Sequence, residues 1–151
     1  MRYDKRDGRF VERLGQPLSI FDANSVAGYI MENIFQKPET YMQEEMWALL
    51  FNCREQITHE VLVSRGSLDA SIAHPSMIFR DAIRLGAHRL IVTHNHPSGD
   101  PDPSHADVLL TQRLRRAGEL LGIPMLDHII VAKDAWYSMA EHEWCSSQAR
   151  P

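Results

Sequence analysis

Several features that mark specialised classes of protein are scarce in this sequence or missing from it. Only two cysteines occur, Cys53 and Cys145, far apart and neither in a CxxC. That argues against a disulfide framework or a cysteine-rich structural zinc site, and reduced thiols fit a cytoplasmic protein. No apolar run approaches the roughly 18 consecutive residues that a membrane span needs, and the opening MRYDKRDGRFVERLG has no signal-peptide core. The expectation is a cytoplasmic chain with no membrane partner. An excess of positive charge is missing too: 16 Lys and Arg stand against 20 Asp and Glu, a formal charge of -4. Broad, salt-driven attraction to nucleic acid needs a positive face, so DNA association has no support from net charge. Arg113, Arg115 and Arg116 crowd one segment and read as the solvated face of a helix. No internal repeat or low-complexity tract is visible.

What is there suits one folded domain: 151 residues, 44% hydrophobic and 24% charged, enough to bury a core but too few for two well-packed ones. Residues 1–17 carry charge and glycine without periodicity and are expected to be a flexible arm. Residues 18–145 form the domain, and 146–151 are expected to be a disordered tail. Within the domain, Val26, Tyr29, Ile30 and Ile34 lie at helical spacing after a cap at Asp22 or Ser25. MWALLFN and ITHEVLVSRG read as adjacent strands. Ile78, Phe79, Ala82 and Ile83 form the apolar stripe of a second helix that starts near Pro75 and ends near Gly86. RLIVTHN is a buried strand. SHADVLLTQRLRRAGELLGIP is a helix with Leu110, Leu114, Ala117 and Leu121 on one face, a serine start and a Gly-Ile-Pro stop. MLDHIIVA is another strand, and a last short one lies near Trp136 to Ala140. This order predicts an α/β (α+β) domain of three layers, a mixed sheet flanked by helices.

The buried strand RLIVTHN runs directly into THNHPSGDPDPSHAD, residues 93 to 107. His94 and His96 are two apart, and on extended backbone such side chains point the same way. At the far end, Ser104 reads as the cap of the long helix, and Asp107, one turn on, faces the same side. The prolines and Gly99 stiffen and turn the connection between the two ends. Two imidazoles and a carboxylate suit a divalent cation, zinc above all, with water in the fourth position made acidic enough to act near neutral pH. Either histidine alone would be ordinary surface, and Ser104 with Asp107 is a plain capping pair. A simple turn, however, has no use for paired histidines delivered by a buried strand. His105 faces elsewhere and is solvated, Asp100 and Asp102 serve the turn, and His142 and Cys145 have no partner ligands of defined geometry.

HNHPSGDPDPS followed by Asp107 resembles the JAMM motif of the MPN/JAB metalloprotease superfamily: H-x-H, seven residues, S, two residues, D, with a glutamate upstream. Within that superfamily the chain is similar to the bacterial RadC-type (UPF0758) proteins over roughly residues 25–145, where QEEMWALLFN, Gly66-Ser67, Thr111 and LLGIPMLDHIIV also match. The resemblance implies an MPN/JAB-like, cytidine-deaminase-like fold with a catalytic domain over 18–145. It implies zinc on His94, His96 and Asp107, an oxyanion contact from Ser104, and a glutamate that activates the water. That glutamate is placed at Glu44, with Glu45 as its rival because adjacent strand residues face opposite sides. Asp127-His128 also matches, and His128 reads as a support for the site or the core, not a fourth ligand. Where relatives carry P-R-E before the second helix, this chain has Pro75-Ser76-Met77, which puts in doubt any partner contact made there. The family's N-terminal helix-hairpin-helix region is not visible, so the chain reads as the catalytic-type domain alone or a short member.

The resemblance therefore implies a zinc-dependent metallohydrolase that cleaves a peptide, isopeptide or related amide, with a peptide or protein as substrate. The alternative is a nucleic-acid-associated repair or mobile-element factor with a structural metal. A zinc nucleoside deaminase would need H-x-E and P-C-x-x-C, and the sequence contains neither.

Overall fold

The computed structural model describes residues 11–12, 22–66 and 74–145. In chain order these form β1 (Val11–Glu12), α1 (Ala23–Asn33), β2 (Glu45–Phe51), β3 (Ile57–Arg65), α2 (Pro75–Arg84), β4 (Arg89–Asn95), α3 (His105–Leu121), β5 (Met125–Ala132) and β6 (Ala135–Ser138), with short 3-10 turns at Pro38–Thr40 and Glu143–Cys145. The strands make one six-stranded sheet in the order β1-β3-β2-β4-β5-β6. Every pairing is antiparallel except β4 with β5, and α3 is the crossover that a parallel pair requires. The expected sequence of helices and strands is present, and the sheet is mixed.

Alternation along the strands sorts side chains to two faces. Met46, Ala48 and Leu50 of β2, Leu90 and Val92 of β4 and Val61 of β3 pack with Ile78, Phe79 and Ala82 of α2 and Leu110 and Leu114 of α3. On the other face Leu49, Phe51, Ile57, Ile91, Ile129 and Val131 pack with Val26, Ala27 and Ile30 of α1. The result is three layers: α1, the sheet, and α2 with α3. Each fully buried large aliphatic or aromatic side chain contributes about 1.5–3 kcal/mol, so these two clusters hold the layers together. Near its start β2 meets an irregularity in β3, where Met46 pairs with Ser64 but Trp47 with Leu62, a bulge at Val63.

The helix ends follow their local chemistry. Asp22 caps α1 and accepts from the Asn24 N–H at 2.9 Å. α3 ends on Gly122 at φ 72, a left-handed turn that suits a residue without Cβ.

Three expectations change. Ile83 is 57% exposed, because the stripe that α2 buries runs through Ile78, Phe79, Ala82 and Leu85 and leaves Ile83 on its flank. Leu121 is 46% exposed: it is the last residue of α3, and the inward stripe ends one turn earlier at Gly118. Within the segment expected to be a loose arm, Val11–Glu12 pairs with Glu60 and His59 of β3. The outer edge of β3 offers unpaired backbone groups that any short extended segment can take up, and hydrophobic periodicity gives no sign of this. The rest of that arm, the tail 146–151 and Ser67 lie outside the described residues.

Candidate metal centre

The face of β4 that carries Leu90 and Val92 into the core continues to His94, which is 0% exposed. An imidazole thus takes the last place in an apolar row. His96 remains tied to the sheet by its N–H, which donates to the Val131 carbonyl at 2.8 Å. The chain then turns at Gly99, whose φ is 90 and whose N–H donates back to the His96 carbonyl at 3.1 Å. Only glycine adopts such a backbone without strain.

The chain returns at Ser104, the cap of α3. Its Oγ accepts from the Asp107 N–H at 3.1 Å, while Asp107 Oδ2 accepts from the Ser104 N–H at 2.8 Å, a reciprocal capping box with aspartate in the place usually held by glutamate. Asp107 also begins the inward stripe of α3, followed by Leu110, Thr111, Leu114 and Gly118. Its carboxylate is therefore buried by the same periodicity that builds the core.

Strand end and helix start bring three donors together. His94 Nε2 lies 3.0 Å from His96 Nε2 and 3.3 Å from Asp107 Oδ1, and His96 Nε2 lies 3.1 Å from Asp107 Oδ2. The ligand atoms of the three residues all fall within 4.8 Å of one another. An ion bound tetrahedrally at about 2.0–2.1 Å spaces its ligands roughly 3.3 Å apart, so the three separations already fit one. The His96 Nδ1 proton points to the Asp100 carbonyl at 2.8 Å; a carbonyl only accepts, so in the neutral ring it is Nε2 that carries the lone pair and faces the other two residues.

The charges are arranged accordingly. Burial would raise the Asp107 carboxyl, but its close polar contacts with His94 and His96 and the hydrogen bond from the Ser104 N–H hold it well below the usual carboxylate range. Burial would lower His96, yet its hydrogen bond to Asp107, its bond to the Asp100 carbonyl and the charges of Asp107 and Glu44 raise it. His128, behind His94, is pushed well down, above all by burial. The pocket thus sets a buried carboxylate beside two imidazoles, a donor set that suits a divalent cation.

The two glutamates separate by face. Glu45 is buried, its Oε1 accepting from the Trp47 indole at 3.1 Å and its Oε2 pairing with Arg65 at 3.0 Å, and Trp47 packs on the α1 side. Glu44 directly precedes β2, its carbonyl accepting from the Gly66 N–H at 2.8 Å. The alternation of β2, carried back one residue, would put it on the face of Met46, which pairs with His94. It is half-buried, and its charge acts on His96.

Asn95, between the two histidines, supports this arrangement. It is 0% exposed; its Oδ1 accepts from the Glu45 N–H at 2.6 Å and its Nδ2 donates to the Gln43 carbonyl at 3.1 Å. A side chain thus stands in for two ladder hydrogen bonds just where Glu44 lies. In sequence Asn95 looks like a spacer in H-x-H, with no periodicity or motif to single it out. His105 is exposed, and Asp100 Oδ1 accepts from the Asp102 N–H at 3.0 Å, the turn role expected for it. His142 stacks on Tyr137 with ring centroids 4.0 Å apart. Among the described residues, the only group of three or more potential ligands is His94, His96 and Asp107.

A helix-flanked mixed sheet with an H-x-H strand end facing a helix-borne aspartate is the arrangement of a JAB/MPN-like domain. The RadC-like JAB domain family matches residues 20–144, and the chain belongs to that family. It is similar to a UPF0758 protein of Chlorobium chlorochromatii, 42% identical over 115 residues that make up 76% of this chain and 52% of that one. A UPF0758 protein of Trichlorobacter lovleyi is 40% identical over 141 residues, 93% of this chain and 56% of that one. One of Desulforudis audaxviator is 44% identical over 113 residues, 75% and 47% of the two chains. The chain spans about half the length of these relatives. Among its described residues no helix is long and apolar enough to cross a membrane.

Proposed function

We propose that this chain is a zinc-dependent metallohydrolase that cleaves a peptide, isopeptide or related amide bond. The observation that carries the reading is the spacing of His94, His96 and Asp107, three donors 3.0 to 3.3 Å apart at the end of a buried strand. These three would hold the zinc. When bound, zinc supplies Lewis acidity, which makes water a competent nucleophile near neutral pH and polarises a carbonyl.

The chain's own groups supply the rest. Glu44, on the face of the sheet that carries His94, takes the proton from the attacking water and returns it to the leaving amine, the work of a general base and then a general acid. Ser104 Oγ already accepts from the Asp107 N–H, so its own proton is free to donate to the developing oxyanion. Asp107 and His96 are pinned by the capping box and by the Asp100 carbonyl, which lowers the cost of assembling the site when substrate arrives.

The test is metal analysis of purified protein, followed by digestion of an unbiased peptide library with wild type, wild type after chelation, and Glu44→Gln. One zinc per chain, with cleavage lost in both of the other samples, is the expected result. Cleavage that survives full removal of metal would overturn the reading.

A further inference from the structure

Behind the donor triad runs a continuous hydrogen-bonded chain. His94 Nδ1 lies 2.7 Å from His128 Nε2, and His128 Nδ1 lies 2.6 Å from Thr111 Oγ1. The Thr111 hydroxyl donates to the Asp107 carbonyl at 2.7 Å. His94, Thr111 and His128 are all 0% exposed, so each depends on these partners.

The direction of the chain follows from its last link. The Asp107 carbonyl can only accept, so the one hydroxyl proton of Thr111 is spent there and its oxygen accepts from the His128 Nδ1–H. In a neutral ring Nε2 is then a bare lone pair, and it accepts from the His94 Nδ1–H. His94 Nε2, which faces His96 and Asp107, is left unprotonated. The reverse setting would turn the Thr111 proton to His128, give up the bond to Asp107 and place a proton on His94 Nε2, where an ion must bind. His96 reaches the same tautomer by another route, through the Asp100 carbonyl.

We propose that Thr111 and His128 are positioning residues that act through His94, fixing it as the Nδ1–H tautomer and aiming its Nε2 at the cation. This rests on the reading of His94, His96 and Asp107 as a zinc site. Asp107 then has two parts: its carboxylate is a ligand, and its carbonyl anchors the far end of the chain that orients another ligand. The i, i+4 spacing of Asp107 and Thr111 on α3 makes this possible.

The experiment measures zinc affinity of the full chain by competition with a fluorescent chelator, for wild type, Thr111→Val, Thr111→Ser, His128→Leu and His128→Gln. Removing the hydrogen-bond partner behind a ligating histidine typically lowers metal affinity about 10–100-fold, the loss expected for Thr111→Val and His128→Leu. Thr111→Ser keeps the hydroxyl, and His128→Gln keeps an acceptor for His94 Nδ1–H, so both should recover most of the affinity. Nitrogen-15 spectra of the zinc-loaded wild type should show the proton on Nδ1 of both His94 and His128. If His128→Leu fails to fold, the two Thr111 variants and the spectra decide. Thr111→Val binding zinc as tightly as wild type, or a proton on His128 Nε2 in the loaded protein, would overturn the relay alone. A wild type that takes up no zinc would overturn the metal site and the relay with it.

Discussion

His96 Nε2 and Asp107 Oδ2 stand 3.1 Å apart, the first just beyond the end of β4 and the second in the first turn of α3. The contact closes a loop in which Gly99 turns the chain and Ser104 caps the helix. It also joins a basic ring to a buried acid.

Zinc should stabilise the folded chain by mass action, by about 2.7 kcal/mol at one hundred times its dissociation constant. His96→Ala removes one of the three proposed ligands and should abolish that gain while leaving the metal-free protein folded. Thermal melts with and without zinc, beside metal analysis, provide the check. An equal shift in both proteins would place the ion elsewhere.

Acid should weaken zinc binding. The folded-state value of His96 is raised above 6.5, so its contribution to metal-free stability is full below that unfolded value and lost as pH rises through the folded one. Asp107 is the opposite case: its lowered value gives stability that is present above 3.8 and lost as pH falls through the folded value. An ion must displace the His96 proton, so below the raised value affinity should fall up to about tenfold per pH unit. Competition titrations from about pH 5.5 to 8 will show it, and a flat profile would contradict it.

Glu44→Gln should keep zinc affinity within a few-fold and lower amide hydrolysis by about 10²–10⁴-fold. Glu45→Gln should retain hydrolysis and instead cost about 1 kcal/mol, since Glu45 holds the Trp47 indole and an Arg65 that is 56% exposed. Paired kinetic and denaturation measurements separate the two, and loss of hydrolysis in Glu45→Gln alone would reverse the assignment.

Asn95→Ala strips partners from the Glu45 N–H and the Gln43 carbonyl. Each buried group left unsatisfied costs about 1–3 kcal/mol. The Glu45 amide should exchange with deuterium faster than its neighbours in β2, and unchanged exchange would show that the carboxamide is not the clamp.

Gly118→Ala should destabilise the domain, because a Cβ there would stand 2.6 Å from the Ile123 carbonyl oxygen and 3.4 Å from Phe79 Cζ. Overpacking of this kind costs about 1–3 kcal/mol, readable as a lower melting temperature with α-helical content kept.

What the sequence by itself determined rests on short separations along the chain. The long helix between Ser104 and Gly122 announces both of its ends. The spacing of His94 to His96 and of Ser104 to Asp107 is local geometry on a strand and on a helix, and it could be read directly. Tertiary structure decided what depends on which elements lie side by side. Glu44 and Glu45 differ by one place in the alternation, and only the pairing of Met46 with His94 says which face of β2 meets the histidines. Asn95 of β4 touches Glu45 on the neighbouring β2, His128 reaches His94 from β5, and Thr111 reaches His128 from α3. Hydrogen bonds of that kind are set by sheet order and helix packing, which no periodicity along one segment encodes, and so the support behind the ligands came to light only in the folded chain.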